Sequence, residues 1–229
     1  MAGLTGTAHP EGGDMLIDEV LPRCDETVSR TVLVDADPAT VYAIARSLDL
    51  REVRTPLVTA AFAVRGAPER LSRAWRRQPP PAPPGPMRLA DIGRGDASPE
   101  LGSWLLLGER PGEELVFGAV GRFWTPRIEW VRVDRAGYRD FIAPGYARIA
   151  AAIAVVPVTE RRAVLIYEVR VAATDIGAAM KFRAYWRVVR PFVGHIMSAT
   201  LTTIKDVAER TMGPAGRVAG PVPPQSVQP

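Results

Sequence analysis

The chain has 229 residues, a formal net charge of +4 and a hydrophobic content of 47%. This length predicts one domain with a sizeable core rather than two large domains. Because lysine and arginine are scattered among acidic residues instead of forming one basic block, we expect no binding to nucleic acid. The longest apolar run, residues 149–158, is well short of the roughly 20 residues that span a bilayer, so no transmembrane helix is expected.

The sequence offers few residues for metal or redox chemistry. It contains one cysteine, Cys24, and two histidines, His9 and His195. An intramolecular disulfide is therefore excluded, and the ligand set that zinc requires is missing. Neither a metal ion nor another cofactor is predicted. The first 14 residues lack the basic start and the apolar segment of a signal peptide, so a cytoplasmic location is expected.

The two ends of the chain differ in composition from the rest. Residues 1–14 are rich in glycine and threonine, and residues 213–229 are dominated by proline and glycine. Both compositions predict disorder. The folded domain is expected to span residues 15–212. Within it, a proline-rich insert at residues 79–86 is expected to form an extended loop.

The first half of the predicted domain starts with a strand and continues with helices. The segment VSRTVLV, residues 28–34, is rich in β-branched side chains and predicts a strand. Asp37 followed by Pro38 predicts the start of a helix, with Asp37 as the N-cap. A second short helix is expected after Pro56, and a further strand is expected at residues 88–92.

The second half is predicted to consist of strands joined in hairpins, followed by a long helix. The turn Arg110-Pro-Gly joins two of these strands, because proline sets the turn and glycine allows a positive φ. Asp175 is expected to cap a helix that ends near Thr211. The predicted strands of this half are residues 103–109, 114–123, 128–133, 146–158 and 163–173.

A proline and a glycine interrupt the long helical pattern, in the stretch YWRVVRPFVGHIMSA at residues 185–199. A proline inside a helix removes one backbone hydrogen bond and costs about 3 kcal/mol. Two interpretations remain open. Either Pro191 begins a second helix, or one helix bends near Pro191 and Gly194 to follow a curved surface. Both interpretations predict that a shaped apolar face packs against the rest of the protein.

The order of the predicted elements resembles that of the SRPBCC superfamily, which is related to START domains, and in particular its uncharacterised bacterial members. The resemblance rests on phrases such as DADPATVYAIARSLD, ELVFGAVGRFW and MKFRAYWRVVRPFVGHIMSATLTTIKDVAER, and it covers about residues 16–210. It implies an α+β helix-grip fold, in which a curved antiparallel sheet wraps around a long kinked C-terminal helix, with two short helices after the first strand. It also implies a cavity between sheet and helix that binds apolar small molecules or lipids. One scaffold hosts many activities, so the resemblance indicates the fold better than the function.

Candidate ligand-binding residues come from the long helix and from three strands. On the helix, apolar side chains recur every three or four residues and form one stripe. On each strand, alternate residues share a face, and one face of the sheet must turn towards the helix. The residues that we place in the cavity are Phe182, Trp186, Val189 and Val193 of the helix, and Phe117, Phe123, Tyr146, Arg148, Glu168 and Arg170 of the strands.

These assignments have structural alternatives. The apolar stripe is also typical of a helix that packs on a sheet without leaving a cavity. Glu168 and Arg170 are also consistent with a pair of charges on a solvated face. Three alanines of the strand at 146–158 share a face with Arg148, and their small side chains favour space beside a helix or a ligand.

Three functions are compatible with these patterns. The leading hypothesis is the binding of an apolar or amphipathic small molecule or lipid between the sheet and the long helix, because no catalytic constellation is recognisable in the sequence. The enzyme alternative is a polyketide cyclase or aromatase-like activity, which requires His195, Glu168, Arg170 or Tyr146 to point inward together. The third alternative is a protein-interaction domain that uses its proline-rich segments.

Overall fold

The computed structural model describes residues 15–49, 88–92, 103–126 and 128–212, together with Val53 and Trp75. The two ends of the chain, the proline-rich insert and the helix expected after Pro56 lie outside the described residues. The helices are α1 (Leu16–Val20), α2 (Pro38–Ser47), α3 (Arg135–Arg139) and α4 (Ile176–Thr211). The strands are β1 (Glu26–Val34), β2 (Leu105–Arg110), β3 (Glu114–Arg122), β4 (Glu129–Val131), β5 (Ala147–Thr159) and β6 (Arg162–Ala173).

All six of these strands form one antiparallel sheet. Its order is β1-β6-β5-β3-β2, and β4 pairs with the end of β3 beyond β2. The predicted hairpin between β2 and β3 is confirmed, and Gly112 in its turn has a φ of 88°. Long strands β5 and β6 form a second hairpin, as predicted from the polar residues between two apolar runs.

Helix α4 packs mainly on β1 and β6, and we call this side of the sheet the inner face and the opposite side the outer face. Both faces bury apolar side chains. The inner core combines strand residues with α4 and includes Leu115, Ile153, Leu165, Val171, Phe182, Met197, Leu201 and Ile204. The outer core lies under α1 and α3 and includes Ile17, Leu21, Val116, Val120, Tyr138, Ala150, Ala152 and Ala172. The α+β helix-grip arrangement predicted from the sequence is confirmed.

Helix α4 begins and ends where the sequence predicts. The Asp175 side chain accepts a hydrogen bond from the backbone N–H of Ala178 (2.8 Å), which caps the first turn. The helix continues through Pro191 without a break. The interpretation that Pro191 begins a second helix is therefore wrong.

Gly194 lies where the helix crosses the edge strand β1. A Cβ atom at this position would be 2.5 Å from Nη2 of Arg30, so a larger residue would displace the guanidinium. The glycine in the predicted interruption therefore has a packing role, since it lets Arg30 lie directly across the helix.

Two local predictions differ from the structure. Residues 88–92 do not form a strand: Leu89–Asp91 is a 3-10 turn, and only Arg88 forms a bridge, to Asp49. Leu89 and Ile92 are both buried, and their spacing of three residues fits one turn of a 3-10 helix rather than the alternation of a strand. Helix α3 was not predicted; Asp134 caps it by accepting from the N–H of Gly137 (2.7 Å).

Candidate functional site

A chain of aromatic rings crosses the inner face from the sheet to α4. Successive ring centroids are between 5.4 and 6.5 Å apart. Phe182 is its centre, because its ring contacts four of the others and stacks on Trp186 with an interplanar angle of 26°. We call this set the aromatic row; its members are Trp104, Phe117, Phe123, Trp124, Trp130, Phe182, Tyr185 and Trp186.

The aromatic row is buried at its centre and accessible at its ends. Phe117, Phe123, Phe182 and Trp186 are buried. The Trp130 side chain is exposed to solvent, and the side chains of Trp104, Trp124 and Tyr185 are partly exposed. The row therefore provides a continuous apolar path from the surface into the inner core, with large rigid side chains of the kind that line ligand sites.

The indole N–H of Trp186 is a buried donor without an acceptor among the described residues. An unsatisfied buried polar group costs about 1–3 kcal/mol. Tertiary packing of the stacked Trp186 and Phe182 rings offsets this cost.

Tyr167 indicates that the inner face is not completely filled. It projects from β6 towards α4 and packs at the margin of the inner core, yet it is partly exposed, as is Ile149 on β5. Burial alone raises the pKa of the Tyr167 phenol to about 12. No hydrogen-bond partner of this hydroxyl occurs among the described residues. The Tyr167 hydroxyl is therefore surrounded by protein, although part of the side chain is exposed.

A polar cluster joins α2 to the edge strand β2. A β-bulge between Leu106 and Gly108 turns Glu109 towards the inner face. One carboxylate oxygen of Glu109, Oε1, accepts hydrogen bonds from the Tyr42 hydroxyl and from Nε of Arg46, both at 2.7 Å. These two bonds lower the pKa of Glu109, and desolvation followed by the bond to Glu109 raises the pKa of Tyr42.

Glu168 and Arg170 form the pair that the sequence suggested, but on the outer face. Arg170 Nε is 2.6 Å from Glu168 Oε1, and Arg170 Nη2 is 2.7 Å from Asp18 Oδ1. Its Nη1 also donates to the carbonyl oxygen of Leu21 at 3.3 Å. This buried network holds α1 against the sheet. The prediction that Glu168 and Arg170 face the cavity beside α4 is therefore wrong, because the inner positions of β6 belong to Tyr167 and its alternate neighbours.

Tyr146 and Arg148 also lie on the outer side, contrary to their predicted place beside α4. Arg148 Nη1 donates to the carbonyl oxygen of Arg139 (2.7 Å), and Arg148 borders an open outer cavity of about 580 Å³. The centroid of the Tyr146 ring lies 4.3 Å from the guanidinium carbon of Arg122. The small alanines of β5 leave room for α1 and for the Tyr138 ring, not for a ligand between sheet and α4.

The other predicted positions lie on the inner side. The structure brings together Phe117, Phe123, Phe182 and Trp186 in the aromatic row, and Val193 packs at the margin of the inner core. Val189 is partly exposed and does not belong to either core. His195 is also partly buried on α4. Whether any of these residues binds a ligand stays a prediction.

Sequence reasoning missed the polar residues of the inner face, namely Tyr42, Glu109 and Tyr167, as well as the rings of Trp104 and Tyr185. Tyr167 alternates with Leu165 and Val169, and this pattern contained the signal for its face. The inward orientation of Glu109 could not be predicted from alternation, because the β-bulge before it changes which residues of β2 face inward.

Among the described residues, no group of three or more histidine, cysteine, aspartate or glutamate side chains could hold a metal ion. In that same part of the chain, no helix is long and apolar enough to cross a membrane. The inner site consists of aromatic and aliphatic surface with the donors of Trp186 and Tyr167, and the Tyr42–Arg46–Glu109 cluster lies beside it at β2.

No protein-family model and no curated protein matches this sequence. Among solved structures, a point mutant of norcoclaurine synthase from Thalictrum flavum is 9% identical, with a TM-score of 0.39, over 82% of this chain and 96% of that chain. A hypothetical protein from Helicobacter pylori is 11% identical, with a TM-score of 0.40, over 91% and 99% of the two chains. An aromatase/cyclase from Streptomyces sp. R1128 is 16% identical, with a TM-score of 0.29, over 84% and 99%. Similarities of this size carry no argument about ligand or activity.

Proposed function

We propose that the protein binds an apolar or amphipathic small molecule or lipid on the inner face of the sheet, beside α4. The observation that carries this proposal is the partial exposure of Tyr167 and Ile149 at the margin of the inner core, on two neighbouring strands whose adjacent inward-facing residues are buried. Side chains at such positions are normally covered by the packing of a helix on a sheet. Their accessibility is what a site for an apolar molecule requires.

The aromatic row and two neutral donors define the chemistry of this ligand. The row supplies flat apolar surface that reaches from Trp130 at the exterior to Trp186 in the interior. The indole N–H of Trp186 and the hydroxyl of Tyr167 both lack protein partners in the described part of the chain. A ligand with an apolar body and one or two hydrogen-bond acceptors, such as carbonyl or ether oxygens, matches this arrangement.

The enzyme alternative has less support than binding. Three of the four groups it required, Glu168, Arg170 and Tyr146, lie on the outer face. The Tyr42–Arg46–Glu109 cluster is on the inner side, but its pKa shifts oppose proton transfer near neutral pH: Glu109 is a weaker base and Tyr42 a weaker acid than usual. The cluster is better suited to joining α2 to β2. The interaction-domain alternative concerns segments outside the described residues.

Titration of the purified protein with Nile red, an apolar fluorophore with a carbonyl acceptor, tests this proposal. We expect saturable binding with a blue-shifted emission. Tyr167→Phe removes the hydroxyl and keeps the ring, so it should weaken binding about fivefold, corresponding to about 1 kcal/mol. Trp186→Phe removes the indole N–H together with part of the ring system, so it should weaken binding at least as much. Val193→Trp should weaken it more than tenfold by filling space at the margin of the core.

The matched control is Tyr146→Phe, which removes a phenolic hydroxyl on the outer face and should leave Nile red binding unchanged. Native mass spectrometry of the wild-type protein is the second measurement, and a co-purified small molecule is the expected result. The proposal is wrong if the wild-type protein neither binds Nile red nor carries a molecule. It is also wrong if the inner-face variants bind as well as the Tyr146 control.

A further inference from the structure

A second apolar row runs along α4 on the side away from the sheet. Its residues follow each other at intervals of four, and residues four apart are neighbours on a helix surface, so the row is a ridge about 24 Å long that winds part of the way round the helix. The large side chains are 81%, 67%, 68% and 39% exposed in chain order. We call this set the outward row; it consists of Ile176, Met180, Ala184, Val188 and Phe192.

The outward row is extended by the loop before β5. The backbone N–H of Gly145 donates to the Asp175 carboxylate, which holds this loop at the first turn of α4. Ile142, in the same loop, is a further large apolar residue that is exposed. Of the ten exposed large apolar residues in the described part of the chain, five therefore belong to this one surface. Such clustering is typical of a binding surface, whereas single exposed apolar residues are common everywhere.

The charges along the outward row are mostly basic, with Asp175 and Asp140 near its N-terminal end. No acidic residue occurs between positions 176 and 205, whereas four exposed basic side chains lie in the first half of α4. One of them, Arg183, has an ion pair, with Glu26 at 3.4 Å. The other three, Lys181, Arg187 and Arg190, form no ion pair within the described ranges. The surface therefore combines apolar side chains with an excess of positive charge.

The presence of apolar and basic side chains on one surface favours some binding partners over others. Two copies of this chain that paired through the outward row would bring their basic residues together, and like charges in contact oppose association. An anionic membrane surface satisfies both features, because the apolar side chains enter the boundary between headgroups and acyl chains while lysine and arginine contact the headgroups. The attraction grows with each basic residue that lies near the surface.

We propose that the first half of α4 docks on an anionic lipid membrane through the outward row, with the helix lying parallel to the surface. The basic residues attract the protein to the membrane, and Met180, Val188 and Phe192 provide the apolar contact. This proposal does not depend on ligand binding at the inner face, since the two surfaces lie on opposite sides of α4.

Flotation of the purified full-length protein with lipid vesicles tests the proposal. We expect binding to vesicles of phosphatidylcholine and phosphatidylglycerol at 3:2, and at least tenfold weaker binding to phosphatidylcholine alone. The double variant M180S/V188S should bind the anionic vesicles at least tenfold less, and it should fold normally because both side chains are exposed. R187Q/R190Q should weaken binding in low salt and have little effect in 0.5 M NaCl, because salt screens the charge contribution.

The matched control is V156S/V158S, which removes two exposed apolar side chains from the end of β5 and should leave vesicle binding unchanged. Trp186→Phe should also leave it unchanged, even if Nile red binding falls, which separates this proposal from the inner site. The proposal is overturned if anionic vesicles do not bind the wild-type protein or bind M180S/V188S equally well. It is also overturned if M180S/V188S converts a dimer to a monomer without lipid, because the row would then be a contact between copies.

Discussion

The inner and outer faces of the sheet both bury apolar side chains, but they are closed in different ways. On the outer face, the short helices α1 and α3 are fastened by hydrogen bonds and ion pairs, with Arg170 between two carboxylates and Glu114 at the start of α1. On the inner face, one long helix covers β1 and β6 through apolar contacts, and donors such as Trp186 Nε1 stay unpaired. Charged pairs join short helices to the sheet on both sides, Arg170–Asp18 at α1 and Arg46–Glu109 at α2, whereas α4 is held mainly by apolar contacts. Buried polar atoms without a partner among the described residues also occur on both faces, so pairing alone does not distinguish them.

The largest expected effect tests the outer network. Arg170→Ala leaves the buried Glu168 carboxylate without its partner and frees Asp18, so we expect a loss of about 3–5 kcal/mol in the free energy of unfolding. Urea denaturation followed by circular dichroism measures this value. The control is Arg162→Ala, whose pair with Asp35 is solvent-exposed and should contribute less than about 1 kcal/mol. Equal effects of the two variants would contradict the structural role of the outer network.

An intermediate effect is expected on the inner side. Glu109→Gln weakens two charge-assisted hydrogen bonds and should lower the free energy of unfolding at pH 7 by about 1 kcal/mol, because the cluster is partly solvated. The folded-state pKa of Glu109 lies below its ordinary value of 4.5, so its contribution is present above pH 4.5 and is lost as the pH falls through the folded-state pKa.

Urea denaturation of wild type and Glu109→Gln from pH 7 to pH 3 measures this dependence. The difference between the two proteins should shrink on acidification. A difference that stays constant over this range would show that the Glu109 charge does not contribute. Tyr42→Phe, which removes one of the two donors, should show a smaller difference with the same pH dependence.

The smallest expected effect is a gain in the free energy of unfolding rather than a loss. Burial raises the pKa of Glu114 above 4.5, so its stabilising contribution falls as the pH rises from 4.5 through the folded-state pKa. Glu114→Gln keeps an oxygen that accepts from the N–H of Leu16 and removes the buried charge. We therefore expect a gain of up to about 1 kcal/mol at pH 7 and none at pH 4. Thermal denaturation at both pH values measures it, with the exposed Glu113→Gln as control; a loss at pH 7 would show that the Glu114 charge is needed at α1.

Local signals in the sequence were sufficient for most of the fold. The turn at Arg110–Gly112 and the cap at Asp175 were predicted correctly, because turn and capping preferences depend only on nearby residues. The assignment of site residues to a face was less successful. Alternation shows which residues of a strand share a face, but it does not show which face turns towards α4 when both faces bury apolar side chains. For this reason Phe117 was placed on the correct side, and Arg148 and Glu168 were not.

The crossing of Arg30 over Gly194 has a consequence for how α4 can move. Pro191 has no N–H to donate to the carbonyl oxygen of Arg187, so the helix has one backbone hydrogen bond fewer three residues before the crossing. Beyond this point the helix is fixed in its lengthwise position by the guanidinium that lies in the glycine gap. The weakened turn at Pro191 therefore lies between two anchored parts of the helix: Phe182 and Trp186 hold the first part in the inner core, and the Arg30 crossing holds the second on β1.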